Sequence, residues 1–147
     1  MTHSVLDANA IKRCLPHRFP FLMIDRVLRY GRDEVVAIKN VTFNESFFEG
    51  HFPGEPIMPG MMIAECMAQS AAFLSANNSS ETAIPLPVVK ARLMAMDLKL
   101  KHPVVPGDQL RITSRAVKRL GKVVRVAASV SVDDRIVACS EFTVMLM

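Results

Sequence analysis

Two kinds of hydrophobic pattern share this chain. From Met61 to Ala76 the residues Met, Ile, Ala, Phe, Leu and Cys fall on every side of a helical wheel, which predicts a buried helix and not an amphipathic surface one. Elsewhere the period is two. Met23–Tyr30 and Glu34–Thr42 read as strands joined by hairpin chemistry at Gly31-Arg32-Asp33, and Val88–Asp97 and Leu98–His102 resume an extended pattern. Gln109–Arg119 alternates as a half-buried strand does. Val124, Val126, Ala128, Val130 and Val132 share one face of the next strand, and Ile136, Ala138, Ser140, Phe142 and Val144 share one face of the last.

Punctuation between these runs agrees with them. Asp7 is placed to cap a short helix over Ala8–Cys14, which Pro16 ends. Leu15 to Phe21 then reads as a packed loop that His17 and Arg18 pin by hydrogen bonds. The polar cluster Asn77–Ser80 is expected to end the long helix, with 76–82 the least ordered loop, before Pro85 and Pro87. Pro106-Gly107 suits the centre of a type II turn, while Leu120-Gly121 and Asp133-Asp134 reverse the chain between the last strands.

One long apolar helix set among long antiparallel strands implies an α+β fold, a curved sheet wrapped around that helix. A sheet covers only part of such a helix, so a second subunit is expected against it. The length, 147 residues, predicts one domain over 1–147 with a sizeable core.

Composition narrows the class. Half of the residues are apolar and 22% are charged, which is a globular balance. The net charge of +4 suits an acidic partner, whereas 6% aromatics and no Trp give little for nucleic-acid stacking. Cys14, Cys66 and Cys139 are odd in number, far apart and set among apolar residues, which predicts reduced core thiols and a cytoplasmic setting. Neither a secretion signal nor a membrane span is expected, since Met1–Asp7 holds no apolar run and Glu65, Gln69 and Ser70 interrupt the apolar helix.

The candidate chemistry lies where loop meets helix. Three glycines and three prolines between Gly50 and Gly60 free some φ values and fix others, so this loop holds a shape ordinary residues resist. Pro59 fits the first helical position, which leaves the Gly60 amide among the free N–H groups of the helix start. Glu65 and Gln69 lie four apart on one helical face, with no Lys or Arg three or four residues away. A carboxylate in apolar surroundings tends to keep its proton, which suits a donor. His51 alone is more often a structural loop histidine; loop, histidine, helix start and acid together are much more specific.

Gly50-His51-Phe52-Pro53-Gly54, then Pro56, Met58-Pro59-Gly60 and Glu65-x-Met67-Ala68-Gln69, resemble the β-hydroxyacyl-acyl carrier protein dehydratases of bacterial type II fatty acid synthesis, the FabZ family. Leu15–Leu22, Lys39–Thr42 and Pro103–Leu110 extend the resemblance along roughly the whole chain. It implies the hotdog fold, a homodimer and often a homohexamer built as a trimer of dimers. It also implies a substrate, a 3-hydroxyacyl chain carried on the phosphopantetheine of acyl carrier protein.

Dehydration needs a base for the α-proton, an acid for the hydroxyl and a donor for the thioester oxygen. His51, Glu65 and the Gly60 amide supply one candidate each. The resemblance further implies that His51 of one subunit works with Glu65 of the other, and that the Ile57 carbonyl fixes the His51 tautomer. Gln69 either orients the acid or a water, or is a satisfied interface amide. Phe21, Met23 and Met62 are candidates for the acyl channel, and Arg18, Lys90, Arg92, Lys99 and Lys101 for the basic mouth that meets the acidic carrier.

No cofactor or metal is called for, because the histidines are scattered and no Cys pair has ligand spacing. Three rival readings stay open. An isomerising FabA-type enzyme typically has Asp at position 65, a hotdog thioesterase uses its acid to activate water, and a carrier-binding module lacks catalysis. Cys66 stands where Ala is usual, and 95–102 departs from the Gly-Ile-Asp…Arg-Phe pattern, differences that bear on chain-length preference.

Overall fold

The alternating runs become strands, two of them merging into one, and the strands among the described residues join one sheet. The computed structural model describes residues 3–74, 88 and 90–147. In chain order the elements are β1 (His3–Leu6), α1 (Ala8–Cys14), β2 (Arg26–Tyr30), β3 (Glu34–Asn40), α2 (Gly60–Ala71), β4 (Ala91–Leu100), β5 (Gln109–Leu120), β6 (Val123–Val132) and β7 (Arg135–Leu146). The spatial order is β1-β2-β3-β5-β6-β7-β4, antiparallel throughout, so the chain crosses from β3 to the far edge through α2 before returning to the centre.

The inner face of this curved sheet takes up α2, as the hotdog arrangement requires. Val35 and Ala37 of β3, Leu110 and Ile112 of β5 and Val126 of β6 form one core cluster with Ile63, Cys66 and Met67 of α2. The helix packs chiefly on β5, where the buried hydroxyls of Ser70 and Ser114 satisfy each other at 2.7 Å.

Local chemistry explains the turns. Gly107 has φ +99 and the Asp108 N–H bonds to the Val105 carbonyl at 3.1 Å, which makes Pro106-Gly107 the centre of a type II turn. Asp133 and Asp134 are both left-handed, at φ 48 and 65, as a two-residue hairpin turn demands. Asp7 accepts from the Ala10 N–H at 2.8 Å and caps α1.

Several boundaries move. The strand expected from Met23 begins at Arg26, because the Met23 N–H is committed to Gln69, and the one expected to reach Thr42 ends at Asn40. Val88–Asp97 and Leu98–His102 contain one strand, Ala91–Leu100. Helix α2 starts at Gly60, with Pro59 as its cap and not its first residue, and stops at Ala71 before a 3-10 turn over Ala72–Leu74. The Ser70 hydroxyl bonds to the Met67 carbonyl and the Ala72 N–H reaches Gln69 as well as Ser70 oxygen, which tightens this end. Arg119 then caps the Leu74 carbonyl at 2.9 Å. The polar cluster 77–80, the loop 76–82 and the two prolines lie outside the described residues.

In β7 a register shift opposite Val130 and Ser131 turns Val137 inward, so Ile136 is exposed and not on the buried face. Strand β1 went unforeseen, being four residues long at the sheet edge. No helix among the described residues is long and apolar enough to cross a membrane.

Candidate active site

The loop before α2 closes on itself through its own backbone. His51 N–H bonds to Phe47 oxygen, Ile57 N–H to His51 oxygen, and Phe52 and Glu55 exchange a reciprocal pair, all at 3.0 Å. The Met58 N–H fastens the loop to Val104 at 2.8 Å, and the His51–Phe52 peptide is cis. Beneath it, Lys39 of β3, only 4% exposed, is ion-paired with Glu45, the residue capping the short turn Ser46–Glu49 that leads to His51. The sequence signal for this pair is a lysine at an inward-facing position of β3, in line with Val35 and Ala37.

His51 is held by what closes the loop. Its Nδ1 lies 2.7 Å from the Ile57 carbonyl oxygen, and its ring stacks on Phe52 with centroids 4.0 Å apart. A carbonyl only accepts, so in the neutral ring Nδ1 carries the hydrogen and Nε2 presents a lone pair.

A cavity of about 360 Å³ opens at this ring, walled by His51, Ile57, Gly60, Ile63 and Leu100 and edged by Lys101. Met62 and Ile63 return their N–H groups to the Pro59 carbonyl, at 2.9 and 3.3 Å, whereas the Gly60 amide precedes the helical ladder. Gly60 also permits close packing. A Cβ there would sit 2.4 Å from Leu100 Cδ1.

Glu65 occupies a different place. It does not line the His51 cavity, and its side chain is 22% exposed and not fully buried as the helical pattern suggested. Its Oε1 accepts from Gln69 Nε2 at 2.8 Å and lies 3.6 Å from His17 Nε2. Gln69 is 2% exposed; it accepts the Met23 N–H at Oε1, 2.9 Å, and donates from Nε2 to the Phe21 oxygen, 2.6 Å. These two backbone partners fix which end of the amide is the donor, so Glu65 Oε1 receives N–H. The loop carrying Phe21 and Met23 is therefore tied to the acid through one side chain.

Other sequence candidates divide. Phe21, Met23 and Met62, expected on the acyl channel, do not line the His51 cavity in this protomer. Phe21 is 47% exposed, Met23 is in the core at 2%, and Met62 rests half-buried against that core. Arg18 pins its loop through the Leu15 and His17 carbonyls, 3.0 and 2.7 Å, but His17 does not pin the loop as expected and instead faces Glu65. Lys101 edges the cavity, while Lys90, Arg92 and Lys99 are exposed around β4. His102 also lines the cavity, its Nδ1 taking a bond from Arg135.

Cys66 is fully buried, and burial pushes its thiol up to about 12, so the residue beside the acid is an inert core group. Among the described residues no three His, Cys, Asp or Glu side chains converge as metal ligands do.

The FabA-like domain family matches residues 15–141. The chain is 46% identical over 143 residues to the 3-hydroxyacyl-acyl-carrier-protein dehydratase FabZ of Streptococcus gordonii, with 95% of this chain and 96% of that one covered. It is 44% identical over 138 residues to the FabZ of Solibacter usitatus, covering 94% and 83%. Among solved structures, the dehydratase heterocomplex ApeI:P from Xenorhabdus doucetiae superposes with a TM-score of 0.74 at 16% identity over 93% of this chain and 90% of that one, a likeness of fold.

Proposed function

The chain belongs to the FabA-like family as a FabZ-type dehydratase, and from that premise we propose how its residues remove water from a 3-hydroxyacyl thioester carried on acyl carrier protein. His51 is the base. Its Nε2 lone pair takes the α-proton while Nδ1–H stays on the Ile57 carbonyl, which keeps the ring in the tautomer able to act. Gly60 lines the same cavity, and its N–H receives the charge that builds on the thioester oxygen, a contact worth roughly 3 kcal/mol of barrier. Glu65 gives its proton to the departing hydroxyl, so the α-C–H and β-C–O bonds break, the double bond forms and water leaves. The observation that carries this reading is the 2.7 Å contact of His51 Nδ1 with Ile57 oxygen at a cavity that Gly60, the first residue of α2, also lines.

Glu65 reaches that cavity from a second protomer in this reading. Support comes from its absence from the His51 cavity within one chain, and from Met61, Leu93, Met94 and Leu100, large apolar side chains on α2 and edge strand β4 that are 70, 47, 55 and 55% exposed here. A homodimer covers them, and further assembly to a homohexamer is compatible with the exposed Phe19 and Phe43 loops. The acyl channel then runs between protomers, where Phe21 and Met62 become available to it. Lys101 at the cavity edge meets the phosphopantetheine and its acidic carrier. Cys14, Cys66 and Cys139 form no disulfide, which fits a reducing, cytoplasmic setting.

The test mixes two disabled proteins. His51→Ala and Glu65→Gln are each expected to keep only a small residual rate alone, and subunit exchange is expected to restore a large part of the activity with trans-2-enoyl thioester as product. Mixed dimers without activity would sink the shared site. Free fatty acid would mark a thioesterase, and a shifted double bond an isomerising enzyme.

A further inference from the structure

We propose that His17 is a positioning residue for Glu65, a second N–H donor to the carboxyl oxygen that Gln69 already holds. The inference rests on the reading of Glu65 as the acid. His17 Nε2 stands 3.6 Å from Glu65 Oε1, on the same oxygen that Gln69 Nε2 meets at 2.8 Å. Its ring is set by stacking on Phe21, centroids 6.0 Å apart and planes 21° from parallel. Phe21 is in turn tied to Gln69 through its carbonyl. Acid, amide and imidazole thus form one unit, although 48 residues separate His17 from Glu65 in the chain.

The proton on the imidazole can be located. His17 Nδ1 is buried and has no partner among the described residues. A charged ring would bury an N–H there with nothing to accept it, whereas a neutral ring protonated at Nε2 leaves only a bare lone pair. The proton therefore sits on Nε2 and faces Glu65. With two donors converging on Oε1, that oxygen is the accepting one, and the transferable proton belongs on Oε2. As Glu65 releases it, negative charge develops beside N–H groups already aimed at it, and the 3.6 Å contact has room to shorten into a full hydrogen bond. A carboxyl free to rotate offers its proton from either oxygen; this one offers it from the oxygen that faces away from the tether.

The test compares two replacements at position 17. His17→Gln keeps an N–H at similar reach, and His17→Leu removes it at similar volume. Both are assayed with a 3-hydroxyacyl pantetheine thioester across a range of substrate concentrations, with enough enzyme, still below substrate, for slow variants to be measured. His17→Leu is expected to lower kcat about tenfold, the scale of a hydrogen bond to a developing charge, with KM within about twofold. His17→Gln is expected to recover most of that loss. In a Glu65→Gln background, where no charge develops, His17→Leu is expected to cost nothing further. An unchanged kcat in His17→Leu, equal losses in the Leu and Gln variants, or the same tenfold loss in the Glu65→Gln background would each overturn the proposal. Should Glu65→Gln itself keep the full rate, the acid assignment fails; a strongly slowed Glu65→Gln with an unaffected His17→Leu removes this inference alone.

Discussion

The base end and the acid end of the candidate site are built in opposite ways. His51 is fixed by residues six positions away or fewer, through a loop whose backbone bonds to itself and to Val104. Glu65 is one turn from Gln69, but Gln69 is fixed by the Phe21 and Met23 backbone, 48 and 46 residues away. The base end depends on local covalent shape and the acid end on the packing of two distant segments. Damage to the first should therefore appear in rate, and damage to the second in stability as well as rate.

His51→Ala is the sharpest break. It removes the base from a half-buried ring at a cavity edge, so turnover is expected to fall on the order of 10³-fold while the thermal midpoint barely moves. A comparable drop in stability would erase the contrast.

Gln69→Leu attacks the other end. It strands the Met23 N–H and the Phe21 carbonyl in or near the core, at about 1–3 kcal/mol each, so urea unfolding is expected to show a loss of roughly 2–6 kcal/mol alongside slower turnover. Stability equal to the parent would mean the long-range tie is ornamental.

A smaller effect is expected at the junction. In Gly60→Ala the new Cβ, 2.4 Å from Leu100 Cδ1, drives the flexible end of that side chain out of contact and into the cavity mouth. KM is expected to rise several-fold with stability changed by less than about 1 kcal/mol, since alanine is the better helix former. Adding Leu100→Ala should return KM toward the parent value.

The smallest effect belongs to Cys66, which serves neither end. Its folded-state thiol, raised by burial to about 12, keeps its proton through a range where the unfolded thiol, near ~8.5, has lost it. The unfolded state binds fewer protons there, so this group contributes nothing to pH dependence below that range and lowers stability as pH climbs from about 9 toward 12. Cys66→Ala is expected to flatten that alkaline decline in unfolding midpoints and to leave turnover intact.

Local signals were legible in proportion to how local their causes are. Alternation gave β5 and β6 nearly residue for residue, and Asp7, Pro106-Gly107 and Asp133-Asp134 announced their cap and turns because those conformations are set within three or four residues. The end of α2 and the inward turn of Val137 were not legible. The first is tightened by the Ser70 hydroxyl and followed by a 3-10 turn whose last carbonyl takes the distant Arg119 guanidinium, and the second depends on the register against β6. His17 looks like a loop pin in the sequence, because nothing within its own segment points to Glu65.

What the sequence determined by itself was the inventory: an all-round apolar helix, a proline- and glycine-rich loop before it, a histidine in the loop and an acid on the helix. Backbone chirality, ring-locked φ values and side-chain period act over a few residues, so they can be read in order along the chain. The tertiary structure decided the pairings: Gln69 with Phe21 and Met23, His17 with Glu65, and Leu100 over Gly60. Those contacts arise only once the sheet curves around α2 and brings distant segments together, and a one-dimensional pattern carries no record of that closure.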